Sequence, residues 1–456
     1  METESPTRVR IVPEALGSAA FRRAHGVRYA YAAGAMYQGI ASPALVARMA
    51  RSGLLSYLGN GGLPREQAER DLVELVSLVP SGAAFGVNLL HRPDDPSRED
   101  EMVELLLRFG VRRVEAAAYL EITPALAAFR LSGLRLGANG RIDRTHLVLA
   151  KVSRPEIARL FFAPIDPAIA KRLVESGRIT SQQAQWSRHV PVADDLCVEA
   201  DSGGHTDQGV LYALLPAVLA ARKAAALAFP AAAQVRIGAA GGLGTPHAIA
   251  AAFVLGADFV LTGSINQCTL EARTSDKVKQ MLQSAGARDT AIVPAGDMLE
   301  LGAKMQVLRR GLLFPARAAK LYELYRECPG WSAIPEATRT QVESRYFQRP
   351  ITEILADLKA RCSAERWASA EANPRQMLAM ICRWYFHHTT QWALCGEPGR
   401  ELDYQIHCGP ALGAFNALVE GTPMEDWRNR HADEIAAYLM NGAAEILARR
   451  FEEFQS

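Results

Sequence analysis

"QVRIGAAGGLGTPHAIAAAFVLG", residues 234–256, decides the fold. It begins as a short apolar strand, turns through Gly241-Gly242, and reaches Thr245-Pro246 ahead of an alanine-rich apolar segment. A threonine N-cap accepts a hydrogen bond from an otherwise orphaned amide, and proline at the first helical position gives up a donor that had no partner. The stretch therefore predicts strand, glycine turn and helix, one βα unit. The unit recurs: "RYAYAAGAM" (28–36) leads to Ser42-Pro43 and the helix "PALVARMARSG", and "RRVEAAA" (112–118) leads to Thr123-Pro124 and a further helix. Apolar strands are also expected at Leu55–Leu58, Phe85–Leu89, His146–Lys151, Leu196–Ala200 and Phe259–Gly263, which makes eight before residue 264. Alternating strands and helices imply a parallel sheet, and eight of them favour an α/β (β/α)8 TIM barrel over an open doubly wound sheet.

Beyond residue 264 helical periodicity takes over in "DKVKQMLQSAG", "AKMQVLRRGLLFPARAAKLYELYREC" and "RNRHADEIAAYLMNGAAEILARRFEEF". The expected organisation is an N-terminal extension (1–27), the barrel (28–300) and an additional C-terminal α-helical domain (301–456) packed on it.

Composition fits an enzyme-sized globular protein: 49% hydrophobic and 22% charged over 456 residues. The net charge of +2 is spread over interspersed acids and bases, so no footprint for nucleic acid stands out. The start, "METESPTRVR", has no apolar core behind it and reads against a secretory signal, and the apolar run Val210–Ala233 is broken by Arg222, Lys223 and two prolines. That run is expected to be an amphipathic helix rather than a membrane span, and the protein cytoplasmic. Seven cysteines without a CxxC pair point to reduced thiols rather than a disulfide framework or zinc site.

Parallel barrels carry their active sites at the carboxyl ends of the strands, often with a phosphate site in the loops after strands seven and eight. Here those loops hold Gly241-Gly242 and Gly263-Ser264. Either they cradle a phosphate with backbone amides, or they make tight βα turns only. A Rossmann reading of "GAAGGLG" fails on its spacing. The sixth strand is expected to end at Gly203-Gly204, with His205 just beyond, a side chain able to titrate near neutral pH.

"EADSGGHTD" (199–207), "GAAGGLGTPHAIAAAFVLGADFVLTGSINQCTLEARTSD" (238–276) and "DYQIHCGPALGAFN" (403–416) resemble the PfaD-type enoyl reductases. Those act in trans with polyketide and polyunsaturated fatty acid synthases and are relatives of the nitronate monooxygenases. The resemblance runs from about Tyr29 to Arg450. It implies flavin mononucleotide (FMN), with Gly241, Gly242, Gly263 and Ser264 at its phosphate, Ala35 and Met36 against its ring, and Asn88 at its polar edge. Lys151 would oppose developing negative charge, Gly203 and Gly204 would let the backbone pass close to the cofactor, and His205 would face the cavity above the ring. From the residues alone, Asn88 as a turn cap and Lys151 as a solvated rim charge stay open. Asp201-Ser202 stands where the nitronate monooxygenase pattern carries Glu-Ala, which favours the enoyl reductase branch.

The implied reaction is hydride relay from NADPH through the flavin to an α,β-unsaturated acyl thioester on an acyl carrier protein, with Lys151 and His205 as catalytic residues. A nitronate-type flavin oxidase and a non-catalytic synthase-docking module are the alternatives. "KMQVLRRG" (304–311) is a candidate carrier contact or an ordinary solvated face. His387-His388 cannot share a helical face, so no metal is expected there. Trp384, Trp392 and Tyr404 are expected in a helical core, and "CGPALGAFN" (408–416) has no assigned chemistry.

Overall fold

In a computed structural model, which describes residues 10–93 and 95–455, the chain divides into two compact units. The first comprises residues up to Asp201, Gln208–Arg273 and Leu418–Ser456; the second comprises Ser202–Asp207 and Thr274–Ala417. The start "METESPTRV" lies outside the described residues.

Eight parallel strands close the barrel of the first unit: Tyr31–Ala33, Leu55–Leu58, Gly86–Leu90, Arg113–Ala117, Leu147–Val152, Asp195–Glu199, Arg236–Ala240 and Val260–Thr262. Each pairs with its sequence neighbours in the barrel, and the first closes on the eighth with Tyr31 opposite Val260. Side-chain caps form at the three Ser/Thr-Pro pairs named for the βα units. Ser42 Oγ accepts from the Leu45 amide at 3.1 Å, Thr123 Oγ1 from Leu126 at 3.1 Å and Thr245 Oγ1 from Ala248 at 3.2 Å, each with proline next in the chain.

Side chains two residues apart on a strand share a face, so the barrel interior is filled in layers. Arg113, Asp195 and Arg236 begin their strands and form the lowest layer. Tyr57, Leu149 and Cys197 lie in the apolar packing above it. Glu115, Lys151 and Glu199 stand nearer the carboxyl ends.

Three features depart from the expected organisation. Part of the extension belongs to the barrel: in the helix Ala19–His25, Phe21 stacks on Phe259 at 4.5 Å and His25 Nε2 meets Asp195 Oδ2 at 2.8 Å. The C-terminal helix Ala432–Gln455 also returns to the first unit, where Asp433 receives Arg48 at 2.5 Å and Ser52 Oγ at 2.6 Å. The unit boundary falls after Arg273 rather than at residue 300.

The second unit is not helical throughout. Thr290–Pro294, Lys304–Leu308 and Gly204–His205 form an antiparallel sheet, so the stretch "KMQVL", expected to be helical, is a strand. Strand pairing overrides local pattern here: one edge of Lys304–Leu308 is taken by Thr290–Pro294, the strand just before it with Pro294 opposite Lys304, and the other by Gly204–His205 from far upstream. Around it pack the helices Phe314–Glu327, Ile351–Arg361 and Pro374–Cys395 over a core containing Phe314, Leu321, Phe347, Trp384 and Tyr385. Trp384 and Tyr404 are buried as expected, and Trp392 packs partly buried against the same core.

The apolar run after residue 210 forms the helix Leu211–Ala228. It is less amphipathic than expected. Only Leu215, Val218 and Ala221 are buried, while Tyr212 and Leu227 stand exposed. By length and composition it is apolar enough to cross a membrane.

Candidate functional site

Within the barrel, three of the residues picked out by strand position converge on a fourth that was not. Asn88 on the third strand is buried and donates through Nδ2 to the Glu115 carbonyl at 3.1 Å. Lys151 on the fifth strand lies 3.8 Å from Glu115 Oε1 and 2.8 Å from Glu199 Oε1. The Ala35 amide, just beyond the first strand, donates to Glu115 Oε2 at 3.0 Å. That amide is therefore committed to Glu115, and any approach of a ring to Ala35 is to its side chain or carbonyl. Met36 follows in extended conformation and precedes the turn at Tyr37–Gly39.

The electrostatics of this cluster follow from its depth. Glu115 is 1% exposed, and burial raises its pKa against the opposing pull of Lys151 and the Ala35 amide. For Lys151 burial favours the neutral amine, but Glu199 and Glu115 outweigh it and raise the pKa. Lys151 is thus a fixed cation with two carboxylate neighbours, not a solvated rim charge.

The two glycine loops pass a simple fit test for a phosphoester. A Cβ added at Gly242 or at Gly263 would meet nothing within 4 Å, so no side chain plugs the space beside either residue. Gly241 differs: its φ is +89°, and a Cβ there would lie 2.6 Å from the Ala200 carbonyl oxygen, so this residue is needed for backbone approach. Gly263 precedes the short 3-10 helix Ser264–Cys268, and Ser264 is half-buried. Backbone amides at turns and helix starts suit anions.

Gly203, Gly204 and His205 are placed differently from the expectation. The sixth barrel strand ends at Glu199; the Asp201 amide then bonds the Gly209 carbonyl at 2.8 Å, and residues 202–207 leave the barrel unit as an excursion. Gly204–His205 pairs with Gln306 and Met305 of the second unit. A Cβ on Gly203 would come within 2.8 Å of Cys408 backbone and Gly409 N, and one on Gly409 within 3.0 Å of Gly203 N. The two glycine motifs thus pack against each other, which gives "CGPALGAFN" a structural reason: it completes the edge of Lys304–Leu308 begun by Gly204–His205.

On that edge His205 Nε2 lies 2.8 Å from Asp297 Oδ1, with both side chains open to solvent. Although the Asp297 carboxyl reaches solvent, the protein packed around it partly desolvates it and opposes ionisation; the hydrogen bond and charge of His205 outweigh that and hold the carboxyl below its usual range. Nearby, Gln405 Nε2 donates to His407 Nε2 at 2.8 Å, which leaves the ring proton of His407 on Nδ1. Burial, reinforced by the charge of His205, pulls the His407 pKa down to about 4. His387 and His388 do not act together; His388 stacks on Trp384 at 3.9 Å and its Nδ1 meets the Trp384 carbonyl at 2.7 Å.

Glu115, Glu199, Asp297 and His407 were not singled out from sequence. For Glu115 a signal exists in "RRVEAAA", a lone carboxylate inside an apolar strand on the same face as Arg113. Asp297 carries no local signal, because its partner lies 92 residues away.

The nitronate monooxygenase family matches residues 20–323, and the inserted helical domain of [acyl-carrier-protein] S-malonyltransferase matches residues 328–404. The polyketide biosynthesis protein PksE of Bacillus subtilis is 46% identical over 97% of this chain, which spans 58% of PksE. A polyunsaturated fatty acid synthase polypeptide of Thraustochytrium is 38% identical over 90% of the chain, which spans 28% of that protein. Among solved structures, the enoyl reductase domain of MlnA, from the macrolactin biosynthesis cluster of Bacillus amyloliquefaciens, is 40% identical with a TM-score of 0.93, covering 97% of this chain and 99% of that one. With the barrel, its strand-end cluster and both glycine loops in place, the chain belongs to the PfaD-type enoyl reductases of polyketide and polyunsaturated fatty acid synthases, within the nitronate monooxygenase superfamily.

Proposed function

We propose that this chain reduces the α,β double bond of an acyl thioester carried on an acyl carrier protein, with NADPH as reductant and FMN as the bound cofactor. The observation that supports the reading is the open space beside Gly242 and Gly263, in the barrel whose strand ends also bring together Asn88, Glu115 and Lys151. A bound FMN would supply the hydride chemistry linking the nicotinamide to the β-carbon of the substrate.

The chain's own residues do the rest. Gly241, Gly242, Gly263 and Ser264 bind the phosphate, and Ala35 and Met36 line the ring. Asn88, its Nδ2 committed to the Glu115 carbonyl, offers Oδ1 as an acceptor to the polar edge. Lys151 holds positive charge where negative charge grows during reduction, which favours the transition state over the ground state. Gly203 and Gly204 shape the segment bearing His205. His205 is the proposed proton-handling group: Asp297, 2.8 Å from its Nε2, orients the ring, and an imidazole so paired can take up or deliver a proton. Carrier-protein contact through exposed Lys304 and Arg309, and a cytoplasmic setting, belong to the same proposal.

The test is anaerobic stopped-flow spectroscopy of the purified protein. NADPH should bleach the flavin absorbance and a crotonyl-pantetheine thioester should restore it without oxygen. Recovery only on admitting oxygen would favour the nitronate-type oxidase, and a protein that binds no flavin would favour a docking module.

A further inference from the structure

Resting on the flavin reading of the barrel, we propose that Glu115 is a positioning residue: its buried carboxylate fixes the Ala35 amide and the Lys151 ammonium, and through them sets the charge presented to a flavin nucleotide at the strand ends. Four strands meet at this residue, two of them through its carboxylate. It accepts from Ala35 N beyond the first strand, its carbonyl receives Asn88 from the third, its own strand is the fourth, and Lys151 reaches it from the fifth. Register supports the arrangement, since Asn88 lies opposite Glu115 and Glu115 opposite Leu149, two residues before Lys151 on the same face.

Glu199 is nearer to Lys151, at 2.8 Å, but its side chain is 31% exposed against 1% for Glu115. Solvent screens Glu199, whereas the charge of Glu115 acts through the protein interior, where the same separation carries a larger energy. With both acids ionised the cluster holds one cation and two anions, so it carries a net negative charge. Glu115 then restrains the electron-accepting tendency of a flavin placed there, and Lys151 counters it. A carboxylate serving only to fill space would have no such effect.

The test uses Glu115→Gln in the full chain, which keeps an acceptor for the Ala35 amide while removing the charge. Two quantities are read: the midpoint potential of bound FMN, and the rate at which Lys151 is acetylated by acetic anhydride, followed by peptide mass spectrometry. The potential should become more positive and Lys151 should react several-fold faster, with the thermal midpoint little changed. Unchanged potential and unchanged Lys151 reactivity would overturn the proposal and leave the flavin reading standing. Faster Lys151 acetylation in a protein that binds no FMN, variant or parent, would leave the Glu115–Lys151 coupling intact and sink the flavin reading instead. Should Glu115→Gln fail to fold, Lys151→Gln serves: with its cation removed, Glu115 should show the infrared carbonyl band of a protonated carboxyl at neutral pH, and an ionised Glu115 there would overturn the proposal.

Discussion

The two ends of the barrel are built from the same residue types to opposite effect. At the amino end Arg113, Asp195 and Arg236 each have hydrogen-bond partners within the protein. Arg236 grips Asp195 with two bonds, at 2.6 and 2.8 Å; Arg113 Nε donates to His25 Nδ1 at 3.1 Å, so His25 Nε2 carries the proton it shares with Asp195. Phe21 and Phe259 close the layer above solvent. At the carboxyl end one cation serves two carboxylates, and two glycines leave open space beside them. A satisfied, sealed network holds the fold, whereas an unbalanced and open one is poised for a ligand.

The largest effect should come from breaking the sealed end. Asp195→Asn leaves Arg236 buried without its counter-charge, which is expected to cost about 3–5 kcal/mol of stability. Chemical denaturation would read that loss, while FMN affinity per folded molecule should hardly move. A variant that lost FMN affinity without losing stability would erase the distinction between the ends.

Filling the open end should do the reverse. Gly263→Leu places a side chain where a Cβ meets nothing within 4 Å, so the fold should tolerate it. FMN affinity by fluorescence titration should fall about 100-fold, equivalent to roughly 2.7 kcal/mol. A variant that kept its affinity would show that the phosphate lies elsewhere.

A smaller effect sharpens the contrast by pH. Burial works against ionisation of Asp195, but His25 and Arg236 outweigh it and lower its pKa to about 2. The unfolded carboxylate titrates near its ordinary value of about 3.9, so between these limits the unfolded chain binds more protons. The contribution, roughly 2.5 kcal/mol, is complete above the unfolded value and drains away as pH falls towards 2. Acid denaturation followed by far-UV circular dichroism should show that slope in the parent and lose it in Asp195→Asn.

Much of the sealed architecture was legible in the sequence because its causes are local. Apolar strands with glycine turns or, in three units, Ser/Thr-Pro caps mark the βα units within a few residues, and all eight strands form close to where those signals place them. The second unit was read less well. Lys304–Leu308 becomes a strand only because Thr290–Pro294 and Gly204–His205 pair with it, and Asp297 joins His205 only through that pairing. At the carboxyl end, the family resemblance together with strand position marked Asn88 and Lys151. Glu115 sat in view as one acid in an apolar run, but its value depends on three neighbours brought from other strands.

The phosphate cradle can be tested most directly by comparing FMN with riboflavin, which differs only in lacking the phosphate. In parallel titrations of the apoprotein, FMN should bind at least about 100-fold more tightly, the worth of a well-held phosphate on converging amides. Equal affinities would contradict a grip between Gly242 and Gly263, and with it the assignment of this end of the barrel.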